Sequence, residues 1–138
     1  MYREEEREMN PLCRQEGIGL IPWSPLARGF LMGNRRREGF GDTVRSRTDE
    51  YAQRMYYQDS DFCVVDRLSE IASRRGVSNA QVALAWILAQ PGVSAPIIGA
   101  RRMEHLDDAV ASVELQLDAA ERMALEEPYR PHPVLGHT

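Results

Sequence analysis

Apolar residues recur along the chain at the spacing of amphipathic helices. Within residues 3–16, Met9, Leu12 and Cys13 occupy positions i, i+3 and i+4 among charged residues, and Gly17 follows as a C-terminal cap. Similar spacing and helix start signals predict further helices over 62–75, 79–90, 103–113 and from 118 onward. The pattern therefore predicts a chain whose regular structure includes several helices of two to four turns.

Two of these helices begin with the spacing of a capping box. Ser78 stands three positions before Gln81, and Asp118 stands three positions before Glu121. In such a box each side chain accepts a hydrogen bond from the other residue's backbone N–H at the helix start. We therefore expect helices to begin at positions 79 and 118. The apolar run 82–89 must then be buried.

Two short apolar runs between the helices predict buried strands. The first covers about 18–21 and is ended by Pro22, and the second covers about 93–98 and is followed by Gly99. Strands that alternate with helices indicate the α/β class.

Two segments lack this periodicity. Residues 29–60 are rich in Gly, Arg, Asp and Ser, and we expect a long loop that is either functional or simply solvated. Part of it holds six arginines against four acidic residues. The tail 128–138 contains three prolines within its first six positions, so we expect it to lie over a surface without forming a helix.

Composition narrows the class of protein without indicating an activity. With 138 residues, 43% of them hydrophobic, the chain can bury the core of one domain. Its longest apolar run is far shorter than the roughly 20 residues that cross a bilayer, and its acidic start is unlike a signal peptide. We therefore expect a cytoplasmic protein. Cys13 and Cys63 lack the spacing of a zinc or disulfide site, and the net charge of −4 disfavours nucleic-acid binding.

Candidate chemistry follows each predicted strand. The first strand leads into 22–29, with the sequence PWSPLARG, and the second leads into Gly99-Ala100-Arg101-Arg102 at the start of a helix. In βα barrels ligands bind at this edge, and phosphate commonly binds after the last two strands beside a helix N-terminus. Taken alone, the second motif is better explained as a turn glycine with surface arginines.

Together the two motifs, in the segments 21–31 and 97–106, resemble the aldo-keto reductase superfamily, in the branch of bacterial ketoreductases and potassium-channel β subunits. Residues 77–87 also resemble the helix before that family's last strand. The resemblance implies the C-terminal portion of a (β/α)8 TIM barrel, truncated, with 18–21 and 93–98 as its last two strands. It also implies that 29–60 covers the cofactor and that residues 1–138 form a partial barrel.

The same resemblance implies an NADP site. Trp23 is expected to stack on the nicotinamide ring, and Gly99 and Arg101 to lie near the adenosine 2′-phosphate, which favours NADP over NAD. His105 and Asp108 match positions that usually hold Gln and Glu and contact adenine. The residues implied to line the pyrophosphate and ribose are Ser24, Pro25, Leu26, Ala27 and Arg28.

The family's catalytic Asp, Tyr, Lys and His lie in the half of the barrel that this sequence does not resemble, and all 17 basic residues here are arginine. We therefore expect no catalytic residue in this chain and no activity from it alone. The complete protein would reduce a small aldehyde or ketone with NADPH. An exposed half-barrel is also expected to self-associate.

Two alternatives remain at this stage. A cofactor-sensing or scaffold subunit of the same family would carry the same motifs. The helices around Gly76 also have the spacing of a helix-turn-helix, but the second of them, 79–90, carries no charge with which to contact DNA. We expect neither nucleic-acid binding nor membrane insertion.

Overall fold

The computed structural model describes residues 1–38, 41 and 43–134, with the backbone alone at position 45. One 3-10 helix covers Glu4–Glu6, and a second, which is kinked at Arg28 and Gly29 where φ is positive, covers Ala27–Met32. No helix in these ranges is both long and apolar enough to cross a membrane. In chain order the α-helices are α1 (Met9–Gln15), α2 (Val44–Thr48), α3 (Glu50–Met55), α4 (Asp59–Arg75), α5 (Asn79–Leu88), α6 (Met103–Ala111) and α7 (Ala119–Glu126).

Both predicted capping boxes are present. Ser78 Oγ accepts from the Gln81 amide at 3.2 Å, and Gln81 Oε1 accepts from the Ser78 amide at 2.8 Å. Asp118 and Glu121 make the equivalent pair at 2.8 and 3.0 Å. These bonds satisfy amides that the first turn leaves without intrahelical partners. The predicted starts of α5 and α7 are therefore confirmed to within one residue.

The first helix is shorter than the predicted range 3–16. A 3-10 turn over Glu4–Glu6 precedes α1, which begins only at Met9. The reason is Pro11, which has no N–H and is tolerated only in the first turn of a helix. A start at Met9 places Pro11 in that first turn, whereas a start at residue 3 would place it in the helix interior.

The two segments predicted as buried strands form only a pair of parallel bridges, Leu20 with Val93 and Trp23 with Ile97. The prediction that they are buried is wrong, since Ile18, Ile21 and Ile97 are each more than half exposed. Pro22 and Pro96 interrupt the two segments and have no N–H to donate, so a continuous ladder cannot form. The hydrogen bonds that remain are 2.8 Å each and run from Leu20 N to Gly92 O, from Ser94 N to Leu20 O and from Ile97 N to Pro22 O.

The segment 29–60, predicted as one long loop, contains the end of a 3-10 helix, the short helices α2 and α3, and the start of α4. Helix α3 is capped by Asp49, whose Oδ1 accepts from the Ala52 amide at 3.1 Å. Ala52 and Met55 on this helix are buried. The helices are missing from the prediction because single capping side chains and two apolar contacts do not produce a periodic pattern. Gly39, Phe40 and Asp42 lie outside the described residues.

The core lies between α4, α5, α7 and the 3-10 helix Ala27–Met32. At its centre Phe30 is fully buried, with ring centroids 5.0 Å from those of Phe62 and Tyr57. Burial of the run 82–89 is confirmed for its first four residues, while the next three are partly buried and Ala89 is exposed.

The described part of the tail, 128–134, forms no helix and lies against the core. His132 is buried, and its Nε2 lies 2.8 Å from Asp61 Oδ1. The other carboxylate oxygen of Asp61 accepts from the Gln58 amide at the start of α4. The prediction that the tail is non-helical and lies over a surface is therefore confirmed up to position 134, and residues 135–138 lie outside the described residues.

Candidate cofactor-binding site

The two parallel bridges bring the two sequence motifs to the same edge of the molecule. Trp23 pairs with Ile97, so the chain leaves the bridge into Ser24 on one side and toward Gly99 on the other. Parallel segments end at one edge, which is where ligands bind in barrels of alternating strands and helices. The described geometry therefore places the first motif and the second motif beside each other.

Residues 24–29 form a tight loop with an unusual backbone. Ser24, Ala27 and Arg28 have φ angles of 52°, 48° and 56°, and Gly29 has 88°. Left-handed backbone costs a residue other than glycine about 1 kcal/mol or more. Part of that cost is offset within the loop, where Ser24 Oγ accepts from the Arg28 amide at 3.2 Å and Leu26 O accepts from the Gly29 amide at 2.9 Å.

A cavity of about 760 Å³ lies beside this loop. The indole of Trp23 is open to it, since 65% of that residue is exposed. Leu26 does not line the cavity and packs against the core instead. The predicted site residues that do line it are Trp23, Ser24, Pro25, Ala27 and Arg28.

Arg28 is paired with a carboxylate that the sequence did not indicate. Its Nε lies 3.0 and 2.9 Å from the two carboxylate oxygens of Asp49, and its guanidinium lies 5.3 Å from the ring centre of Tyr51. Nη2 of Arg35 also donates to the Arg28 carbonyl at 3.2 Å. All three partners lie in the segment predicted as a loop. The one available signal was the suitability of Asp49 as an N-cap.

The second motif lies outside the cavity at the start of α6. A Cβ added to Gly99 would meet nothing within 4 Å, so a ligand could approach the backbone closely there. Arg101 is exposed, and its guanidinium has no hydrogen bond or ion pair with the residues that the structure describes. The His105 ring lies 3.5 Å from the Arg101 amide and 3.3 Å from Nε of Arg102. Asp108, one turn further along α6, is partly buried.

Four tyrosines also line the cavity, namely Tyr2, Tyr51, Tyr56 and Tyr129. Burial raises the pKa of Tyr56 to about 12; the neighbouring Tyr51 adds to this shift, and the positive charge of Arg28 opposes it. A tyrosine that protonates a carbonyl needs a pKa lowered toward the working pH. The environment of Tyr56 therefore shifts its pKa in the direction opposite to the one that a proton donor needs.

These residues fit a phosphate-bearing dinucleotide. The exposed indole of Trp23 offers a flat apolar face, and the open space above Gly99 lies next to the unpaired charge of Arg101 and the N-terminus of α6. Free amides and the helix dipole at such a terminus favour an anion.

Comparison with known proteins agrees with this architecture. The sequence profile of the Aldo/keto reductase family matches residues 1–130. The versiconal hemiacetal acetate reductase of Aspergillus parasiticus is 45% identical over 132 residues, which are 94% of this chain and 37% of that protein. An aldo-keto reductase of Fusarium vanettenii is 40% identical over 139 residues, covering 100% of this chain and 36% of that protein.

A crystal structure of a thermostable aldo-keto reductase in complex with the inhibitor epalrestat superposes on 92% of this chain, with a TM-score of 0.60 and 26% identity, and the match covers 36% of that structure. The chain spans 41% and 38% of two Schizosaccharomyces pombe relatives to which it is 44% identical. It therefore corresponds to less than half of each relative. With nearly its whole length matched by the family profile, the chain belongs to the aldo/keto reductase family.

Proposed function

We propose that this chain is the NADP-binding, C-terminal part of an aldo-keto reductase barrel, and that the complete protein reduces aldehydes or ketones with NADPH in the cytoplasm. The observation that carries the proposal is the parallel pairing of Leu20 with Val93 and Trp23 with Ile97. This pairing puts the loop 24–29 and the N-terminus of α6 at one edge, where a dinucleotide could contact both.

In this proposal each motif binds one end of the cofactor. The exposed face of Trp23 stacks on the nicotinamide ring, and the loop 24–29 follows the pyrophosphate and ribose. Arg101, with Gly99 beside it, pairs with the 2′-phosphate, while His105 and Asp108 lie toward the adenine. NADPH would supply the hydride, and the residues of this chain would bind and orient the cofactor.

The chain on its own is proposed not to reduce a carbonyl. No lysine is present in the sequence to lower the pKa of a tyrosine, and burial raises the pKa of the cavity residue Tyr56. The groups that protonate and orient the substrate would therefore come from barrel strands that this sequence does not contain.

Titration with NADPH and NADH of the protein completed with the barrel half that its relatives contain, followed by calorimetry and tryptophan fluorescence, tests the cofactor site, and an activity assay of the chain alone tests the assignment of catalysis. We expect the completed protein to bind NADPH, and NADH more weakly, and we expect the chain alone to oxidise no NADPH with aldehydes or ketones above a heat-inactivated control. Absence of NADPH binding would overturn the assignment of the site. Turnover above the control would overturn the assignment of catalysis to other strands.

A further inference from the structure

Arg28 is held from two sides by the segment that follows the loop 24–29. Its side chain pairs with Asp49 at the start of α3, and its backbone carbonyl accepts from Arg35 at 3.2 Å. Arg35 is itself fixed by a 3.1 Å hydrogen bond to the hydroxyl of Thr43. Arg28 therefore connects the left-handed part of the loop 24–29 to both Arg35 and Asp49.

The side chain of Asp49 is more constrained than that of an ion-pair partner on the surface. Its side chain is only 6% exposed, against 27% for that of Arg28. The same carboxylate accepts from the Ala52 amide at 3.1 Å and so caps α3. The Asp49 carboxylate is shielded from water and is hydrogen-bonded to the start of α3. A carboxylate in this environment keeps the guanidinium that pairs with it in a narrow range of positions.

This arrangement changes the role of Arg28. Because Nε of Arg28 already faces both oxygens of a buried carboxylate, the negative charge of Asp49 offsets much of the attraction between this guanidinium and a phosphate in the neighbouring cavity. The pairing of Arg28 with Asp49 instead restrains the backbone at Ala27 and Arg28. The φ angles there are positive, and an unrestrained chain would favour negative φ angles.

We propose that Asp49 is a positioning residue for the dinucleotide: through Arg28 it holds the loop 24–29 in the conformation that receives the cofactor. The inference rests on the proposed function, because it assigns to Asp49 a part in the same site. A loop that is preformed in the binding conformation avoids the loss of affinity that a partly populated conformation would cause.

The variant Asp49→Asn, made in the protein completed with the barrel half that its relatives contain, tests this inference, because asparagine still caps a helix but lacks the charge that pairs with Arg28. Asp66→Asn is the matched control, since Asp66 pairs with Arg37 at 2.9 Å on the exposed surface of α4. We expect Asp49→Asn to weaken NADPH and NADH binding equally, each by about tenfold. We also expect faster amide hydrogen exchange in residues 24–31 without cofactor, and neither change in Asp66→Asn.

The direction of the affinity change separates two roles for Arg28. If Asp49 merely competes with the cofactor phosphates for that guanidinium, its neutralisation should tighten binding and overturn the inference. Unchanged affinity, or unchanged exchange in residues 24–31, would overturn it as well. In each of these cases the unmodified completed protein still binds NADPH and the proposed function stands. A completed protein of wild-type sequence that binds neither cofactor overturns the proposed function, and the inference with it.

Discussion

The two motifs contribute three arginines to one edge of the molecule. Arg102 pairs with Glu104 at 3.4 Å, and the surroundings of Arg28 and Arg101 give these two side chains different roles. The positive charge of Arg28 is compensated by the buried carboxylate of Asp49. Arg101 is exposed at the start of α6, and none of the described residues forms an ion pair with its guanidinium. Of the two, Arg101 is therefore the side chain with charge available for an anionic ligand.

Removal of that side chain should affect one nicotinamide cofactor and spare the other. An exposed, charge-assisted hydrogen bond contributes on the order of 1 to 3 kcal/mol, which corresponds to roughly 5-fold to 150-fold in affinity. In the protein completed with its first half, we expect Arg101→Ala to weaken NADPH binding by that factor and to leave NADH binding nearly unchanged, since NADH lacks the 2′-phosphate. Dissociation constants from calorimetry would measure both, and an equal loss for the two cofactors would rule out this role for Arg101.

The variant Trp23→Ala provides the complementary result. The Trp23 indole is 65% exposed, and the nicotinamide ring that it would stack against is common to both cofactors. We expect NADPH and NADH to be weakened alike, by about 1 to 3 kcal/mol if the stacking resembles that of bases on aromatic side chains. Unchanged affinity for both would exclude the stacking role, even though the family of the chain would stand.

At the residue scale the sequence predicted which residues follow the two paired segments, but not how their charges are used. The family resemblance pointed to Arg28 as readily as to Arg101, because it concerns residue types and their order. The partner of Arg28 is 21 positions away along the chain. A pairing over that distance depends on the packing of α3 beside the loop, which no local pattern records.

At the scale of elements, helix starts are the best predicted features because capping is a local interaction. Ser78 Oγ accepts from the Gln81 amide at 3.2 Å, three residues away. We expect Ser78→Ala to lower the free energy of unfolding by about 1 kcal/mol, since the mutation leaves that amide without its partner. Urea denaturation followed by circular dichroism would measure the loss.

Ser73→Ala is the control for this prediction. Ser73 is exposed near the end of α4, where alanine has the higher intrinsic helix propensity and no cap is lost. Its free energy of unfolding should stay within a few tenths of a kcal/mol of wild type. Equal losses in the two variants would indicate that the serine at position 78 stabilises the chain by some means other than capping.

An ion pair between Arg75 and Glu121 joins α4 to α7. Nε of Arg75 donates to Glu121 Oε1 at 2.8 Å, and this hydrogen bond holds the pKa of Glu121 below its ordinary value of 4.5. Because the unfolded chain then binds the proton more readily, the contribution is complete above about pH 4.5 and is lost as the pH falls through the lowered pKa.

The variant Glu121→Gln isolates this contribution, because glutamine retains the capping geometry and does not titrate. Between about pH 6 and about pH 3, we expect the free energy of unfolding to fall less steeply in the variant than in wild type. Denaturant midpoints across that range would measure the difference in slope. Identical pH profiles would mean that the ion pair with Arg75 does not stabilise the folded chain.

The elements predicted least well are those that depend on neighbours far along the chain. Segments 18–21 and 93–98 have the apolar character of buried strands, but Pro22 and Pro96 limit them to isolated bridges. Helices α2 and α3 are both short. Helix α3 is stabilised by the Asp49 cap and by the burial of Ala52 and Met55, and at the start of α2 the Thr43 hydroxyl accepts from the Ser46 backbone N–H at 3.1 Å. Tertiary contacts of this kind override a local pattern that is weak or absent.

At the scale of the whole molecule, apolar side chains remain exposed on both flanks of the core. On α1, Met9 and Leu12 are 51% and 52% exposed, and on α6, Met103 and Val110 are 69% and 65% exposed. The two residues of each pair share one face of their helix, and exposed apolar faces usually mark an interface in a soluble protein. The chain matches less than half of the length of its relatives, in which further residues are available to cover such faces.

We therefore expect the isolated chain to self-associate through these faces, as oligomers or aggregates, or else to melt without a sharp transition. Sedimentation velocity over a range of concentrations would detect association, and calorimetry would detect a loss of cooperativity. The double variant Met103→Gln, Val110→Gln should reduce association while preserving helix content, because glutamine has a helix propensity close to that of methionine. Glu104→Gln, a polar position on the same helix, is the matched control and should leave association unchanged. A monomer with one sharp melting transition would contradict the prediction, because it would mean that the core between α4, α5 and α7 is sufficient and that these apolar faces need no cover.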